Sequence, residues 1–301
     1  MRHIFIINTL AKEKEIAKVQ KYIKELGAKY HLDYEIYLTK YAHHARDLAK
    51  ELSNSETIVY AVGGDGTIFE VLNGLDLQST MAIIPLGSGN DFYRMIGPKD
   101  NLKLLIEKTI NGIVKKIDFG KINEKRFLNC SSIGIDSKIN FEASKLIHSK
   151  GLHKSPAYSL SIIKNMIAPK PFSLRIKIDD DIVLDKEFYI ACIMNGSYYG
   201  NGAKPSPLSK LDDGYFNVIL AYDVRRHEIY PCLLKYLKGK HLDDPRFHFY
   251  KAKKITIIAP SDVLGQSDGE SEFAIKRELM IRERALKLLV PKDAYFLRSS
   301  S

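Results

Sequence analysis

The sequence predicts an α/β chain: an N-terminal α/β nucleotide-binding domain with a mostly parallel sheet, followed by a β-rich, sandwich-like second domain. Three observations lead there. Short apolar runs alternate with segments of helical periodicity through the first third of the chain. Beyond Gly112 the texture changes to a succession of strand-like segments. Two glycine-rich turns, Gly63-Gly64-Asp65-Gly66-Thr67 and Pro85-Leu86-Gly87-Ser88-Gly89-Asn90-Asp91, each follow directly on an apolar run.

In chain order, residues 3–8 read as a strand and 12–26 as a helix, because Ile16, Val19, Ile23 and Leu26 recur on one face. Residues 34–38, 57–62 and 81–85 read as strands, with a helix over 42–52 between the first two. After the first glycine turn, Ile68, Val71, Leu72 and Leu75 repeat at three- and four-residue spacing, so the pattern is strand, turn, helix. A short helix over 92–95 and a longer one over 102–110 follow, the second stopped by Asn111-Gly112. In the later part, 113–119, 172–178, 188–194, 216–222, 255–259, 272–275 and 279–282 read as strands. Helices over 138–148, 158–167 and 227–237 interrupt them.

At 301 residues two domains are expected, divided as 1–117 and 118–301, with the extreme C-terminus free to return to the first. The hydrophobic content of 45% and charged content of 27% suit a compact globular protein. No apolar run is long enough to span a bilayer, and the N-terminal Ile4-Phe5-Ile6-Ile7 is too short for a signal peptide, so a cytoplasmic location is expected. Cys130, Cys192 and Cys232 are widely spaced and read as buried free thiols, not as a disulfide framework or zinc site. The net charge of +10 favours an anionic partner. Nucleic acid and acidic lipid both fit that charge; the basic residues are scattered and accompany no nucleic-acid-binding signature, so charge alone decides nothing, and no nucleic-acid partner is expected.

The glycine turns carry the chemistry. A backbone without Cβ lets a phosphate approach closely, and the amides at the start of the following helix favour anions. In the first turn, Gly63, Gly64 and Gly66 supply that backbone, while Asp65 is the residue type that holds the magnesium of Mg-ATP. Thr67 either caps the helix or bonds a phosphate. The second turn reads as a further phosphate contact or as a structural loop in which Asn90 and Asp91 cap the short helix. Asp268-Gly269-Glu270 is either an Asp-Gly hairpin or the seat of a general base. Lys210-Leu211-Asp212-Asp213-Gly214-Tyr215 is either a solvated acidic turn or a site for a hard cation.

Taken together, GGDGT with Glu70-Val71-Leu72-Asn73-Gly74, PLGSGND, Asp212-Asp213-Gly214 and Asp268-Gly269-Glu270, in that order, make the chain resemble the soluble bacterial diacylglycerol kinases. These are relatives of the sphingosine kinases and of the eukaryotic diacylglycerol kinase catalytic domain. The resemblance runs nearly end to end. It implies an ATP- and Mg²⁺-dependent lipid kinase that phosphorylates diacylglycerol, with ATP contacted by Gly64 to Glu70, Ser88 and Thr39. It further implies Asp268 as proton acceptor supported by Glu270, and a structural magnesium on the Asp213 carboxylate with the Lys210 and Tyr215 carbonyls. One departure is evident: the family usually has Asn-Pro and a nearby glycine after the first strand, where this chain has Asn8-Thr9-Leu10-Ala11-Lys12.

The remaining readings are a kinase of another acceptor, such as a sphingoid base or NAD, and a catalytically idle nucleotide- or lipid-binding regulator. A lipid acceptor requires transient docking at a bilayer surface, for which Lys150, Lys154, Lys164, Lys170, Arg225 and Arg226 are candidates. A homodimer is compatible with such a chain.

Overall fold

The computed structural model describes the chain except residues 98–99, 151–155, 157–159, 162–163, 166–168 and 301, and the side chains of 147–150 and 298–300. Contacts divide it into two units. The first comprises Met1–Phe119, Lys210–Asp213 and Arg282–Ser301, and the second Gly120–Ser209 and Gly214–Ile281.

In the first unit, β1 (Arg2–Ile7) pairs with both β2 (Tyr34–Leu38) and β3 (Thr57–Gly63). Next, β3 pairs with β4 (Thr80–Pro85), and β4 with residues 287–289 of β13 (Glu270–Val290). All four ladders are parallel. The helices α1 (Glu13–Tyr30), α2 (His44–Leu52), α3 (Asp65–Gly74), α4 (Tyr93–Ile96) and α5 (Leu102–Ile110) alternate with them. Every residue of β3 is buried, as expected of a parallel strand covered on both faces. On α1 the buried residues are Val19, Ile23, Leu26 and Gly27, one apolar stripe.

In the second unit the ladders among the described residues are antiparallel. Here β9 (Ile182–Met194) pairs with β7 (Cys130–Gly134), β8 (Phe172–Ile178) and β10 (Phe216–Tyr222). β10 continues to β11 (Phe247–Ala252), and β12 (Lys254–Ser267) pairs with β7, β8 and β13. Among the described residues antiparallel ladders therefore predominate, and the parallel pairing expected from strand-helix alternation falls in the first unit. One core joins Phe127, Phe188, Phe216, Ile176 and Ile255; a second packs α6 (Ile135–Lys150) and α7 (Ile229–Leu237) through Ile139, Cys192, Ile229 and Tyr236. The three cysteines are buried and free.

The strand expected over 113–119 is β5 (Ile113–Ile122), whereas β6 (Lys125–Phe127), β7 and β11 have no counterpart among the expected strands. Conversely, what read as the short strands 255–259, 272–275 and 279–282 are parts of the two long strands β12 and β13. The reason lies in Arg277, a charged residue that is only 1% exposed. Its guanidinium donates to the carbonyls of Ala274, Val263 and Glu272, at the place where the β12–β13 register shifts between Ile258 and Val263. A buried cation that saturates bulge carbonyls lets strands continue where the sequence looks polar and broken. The helix expected over 158–167 lies largely outside the described residues, as do Lys154 and the side chain of Lys150. No helix among the described residues is long and apolar enough to cross a membrane.

Candidate active site

In the first unit, β3 delivers its last residue, Gly63, to the start of α3, with Gly64 as the N-terminal flanking residue. The carbonyl of Gly64 accepts from the amides of Thr67 and Ile68 at 3.0 and 3.1 Å, which closes the first helical turn. The amides that precede them have no acceptor four residues back and form the anion-favouring end of the helix. Each glycine has its own reason. A Cβ on Gly63 would sit 2.2 Å from the Thr67 hydroxyl, and a Cβ on Gly87 would sit 2.5 Å from Gly64 Cα. The two turns thus touch through backbone. Around Gly66 nothing comes within 4 Å of an added Cβ, so this position faces open space.

The first loop takes part, although it departs from the familiar sequence. Asn8 donates from Nδ2 to Thr67 Oγ1 at 2.7 Å, and its Oδ1 accepts from the Leu10 amide at 2.9 Å. Thr9 donates from its amide to Thr39 Oγ1 at 3.1 Å and from its hydroxyl to the Thr39 carbonyl at 2.9 Å. Asn8 therefore orients the hydroxyl of the glycine turn, and Thr9 fixes Thr39 beside it.

Other expected contacts are engaged structurally. Asn90, in the left-handed region at φ 50°, closes its own loop: Oδ1 accepts from the Gly87 amide and Nδ2 donates to the Gly87 carbonyl. Asp91 is 5% exposed and pairs with Arg94 at 3.4 Å, while Asp65 Oδ1 accepts from the Phe92 amide at 3.4 Å. Glu70 accepts from the amides of His43 and Ala45, both at 3.2 Å, and so caps α2. Ser88 is exposed at the turn surface. Buried Asp118 accepts from the Arg284 amide at 2.6 Å, and its own amide donates to the Leu211 carbonyl at 2.6 Å, pinning the Lys210–Asp213 segment.

In the second unit, Asp268 and Gly269 have φ of 47° and 94°, and Ser267 faces Glu270 across the ladder. The hairpin reading of this segment is correct: consecutive positive φ values are what a two-residue type I′ loop requires. The side chain, however, does more than turn a corner. The Asp268 carboxylate accepts from three successive amides, those of Leu128 at 2.6 Å and of Asn129 and Cys130 at 2.9 Å. Hydrogen bonds of this kind stabilise an ionised carboxylate and fix its direction. The Glu270 side chain, expected to support Asp268, is exposed and makes no hydrogen bond or ion pair among the described residues. Backbone amides hold Asp268 in its place. Nothing in a one-dimensional reading marked residues 128–130, because their contribution is main-chain N–H, which every non-proline residue has.

Comparison with known proteins decides the family. A model of the diacylglycerol kinase catalytic domain matches residues 2–122, and one of the YegS C-terminal NAD kinase beta sandwich-like domain matches residues 129–290. The chain belongs to the bacterial diacylglycerol kinase family. It is 28% identical to a diacylglycerol kinase of Staphylococcus saprophyticus over 251 residues, covering 82% of this chain and 81% of that protein. It is 27% identical to one of Bacillus subtilis over 287 residues, covering 93% and 92%. The solved structure of a diacylglycerol kinase candidate from Bacillus anthracis strain Sterne superposes with a TM-score of 0.78 at 27% identity, covering 96% of this chain and 97% of that one. This kinase is accordingly an enzyme of lipid phosphorylation, and the α/β glycine turns and the β-rich Asp268 hairpin fall in the two matched regions.

Proposed function

We propose that this kinase transfers the γ-phosphoryl group of ATP to the hydroxyl of diacylglycerol, giving phosphatidic acid. The observation that carries the reading is the Gly63-Gly64-Asp65-Gly66-Thr67 turn at the head of α3, with Gly66 in open space and Gly87 packed against Gly64. Such a turn gives phosphate oxygens backbone amides with no Cβ in the way. Thr67, oriented by Asn8, and Thr39, oriented by Thr9, supply hydroxyl donors at its border, and Ser88 adds an exposed one. Asp65 adds a carboxylate.

Asp268 is the proton acceptor in this reading. As the acceptor oxygen attacks the γ-phosphorus, its proton passes to the carboxylate while the bond from phosphorus to the β,γ-bridging oxygen breaks and ADP leaves. The three amides at residues 128–130 hold the carboxylate in one direction.

Magnesium fits the donor chemistry of the Asp-Asp-Gly turn. Among the described residues no three His, Cys, Asp or Glu side chains cluster as a metal site. A cation there would instead rest on the Asp213 carboxylate with the backbone carbonyls of Lys210 and Tyr215, which are hard oxygen donors suited to it. When bound, the ion of Mg-ATP neutralises phosphate charge.

Reaching a bilayer lipid calls for peripheral docking. Arg225, Arg226 and Lys170 are exposed, whereas Lys164 is paired with Glu142 at 3.0 Å, so the first three are the better surface cations. The deciding experiment is transfer of radiolabel from [γ-³²P]ATP with Mg²⁺ into diacylglycerol, ceramide or sphingosine in mixed micelles, with NAD as a soluble acceptor. Labelled phosphatidic acid is expected. Label in another lipid would replace the acceptor, label in NADP would move the reaction to a soluble substrate, and ATP binding without transfer would overturn the kinase assignment.

A further inference from the structure

We propose that Gln266 is a positioning residue for phosphoryl transfer, locking the Asp268-Gly269 hairpin to the strand that carries the amide cradle. The inference rests on the reading of Asp268 as proton acceptor. Gln266 is polar yet only 3% exposed, and neither the glycine turns nor the family motifs involve it. Its Oε1 accepts from the Gly269 amide at 2.8 Å. Its Nε2 donates to Ser132 Oγ at 2.9 Å and lies 3.3 Å from Cys130 Sγ.

Cys130 is one of the three cradle residues: its amide donates to Asp268 Oδ1, and its carbonyl accepts from the Asp268 amide at 3.0 Å. One side chain thus grips both the second residue of the loop and the strand facing it. The neighbouring pair repeats the link, with Ser267 Oγ and Ser131 Oγ 3.1 Å apart in register. Behind Ser132, buried Ser137 donates from its hydroxyl to the Ser132 carbonyl at 3.1 Å, so the strand at the outer end of the grip is held from the interior.

A two-residue loop needs such a grip. Both of its residues sit at positive φ, a conformation that a non-glycine residue such as Asp268 adopts at a cost, and a shift of the loop would carry the carboxylate off its three amides. Misplacement of a reacting group by about 1 Å is worth on the order of 10²-fold in rate. Gln266 is the side chain whose acceptor and donor fix that peptide from the interior side.

The test is a double-mutant cycle of Gln266→Leu and Asp268→Asn, read as kcat and KM for ATP in the micelle assay, with residual turnover followed by radiolabel. Q266L is expected to lower kcat about tenfold or more with KM for ATP unchanged, and to lower it no further in the D268N background. An equal loss in both backgrounds would mean that Gln266 merely supports the fold, and wild-type turnover of a folded Q266L would overturn the proposal outright. Full turnover of D268N alone would overturn the reading of Asp268 itself, a result distinct from either. If Q266L does not fold, Ser132→Ala, which removes only the outer partner, takes the same place in the cycle with the same expected non-additivity.

Discussion

The two polar turns of this kinase are built on opposite principles. At Gly63-Gly64-Asp65-Gly66-Thr67 the backbone is stripped of side chains, and space is left beside Gly66. At Asp268-Gly269 the side chain is the point, and its carboxylate is surrounded by donors from residues 128–130. In the proposed reading the first is a surface for a ligand that is not part of the chain. The second is a single functional group held by the chain. Absence of atoms is readable from glycine spacing, whereas a cradle of main-chain amides exists only once distant strands have paired.

The largest test of this contrast is Asp268→Asn, which keeps the shape of the side chain and removes its basicity. Turnover is expected to fall by roughly 10²- to 10⁴-fold, with ATP binding measured by calorimetry retained. Loss of ATP affinity instead would merge the two functions that the contrast separates.

Acid should distinguish the interior of the second unit from its surface turn. His241 is fully buried against Tyr236 and Phe247, and desolvation pushes its pKa down to about 4. Because the folded value lies below the ordinary value of 6.5, the stability tied to its neutral form is complete above pH 6.5. It is lost as pH falls through about 4, up to about 3 kcal/mol. Thermal melts from pH 7 to 4 should show that decline, and His241→Gln should flatten it.

Gly87→Ala and Gly66→Ala divide the glycine turn itself. The first drives a Cβ to 2.5 Å from Gly64 Cα, and overpacking of that kind costs about 1–3 kcal/mol. The second meets nothing within 4 Å and replaces a poor helix former by the best, so the melting temperature should hold or rise while ATP affinity falls. Unchanged ATP affinity in G66A would show that the open space is not where the nucleotide lies.

The smallest effect is expected from Asn8→Ala, which frees the Thr67 hydroxyl from its 2.7 Å partner. A loss of about 1 kcal/mol in ATP binding, checked by isothermal titration, would place the first loop in the site despite its unusual sequence. No loss would make Asn8 a loop brace only.

How much was legible beforehand follows from the range of each interaction. The strand-turn-helix units of the first unit were readable because apolar periodicity and glycine turns are local, as in the fully buried β3 that runs into α3. Glu70 and Asn90, expected as ligand contacts, also cap α2 and close the second turn, backbone roles that a sequence does not tell apart from service to a ligand.

The sequence by itself determined the parallel α/β start, the β-rich remainder, the two glycine turns and the Asp-Gly hairpin, all set by contacts within a few residues. Only the tertiary structure decided that Asn8 reaches Thr67, that Arg277 threads two long strands past a bulge, and that Gln266 and the amides of residues 128–130 hold Asp268. Those decisions join residues as many as 140 positions apart through hydrogen bonds whose partners carry no local signature, and only the pairing of strands brings them together.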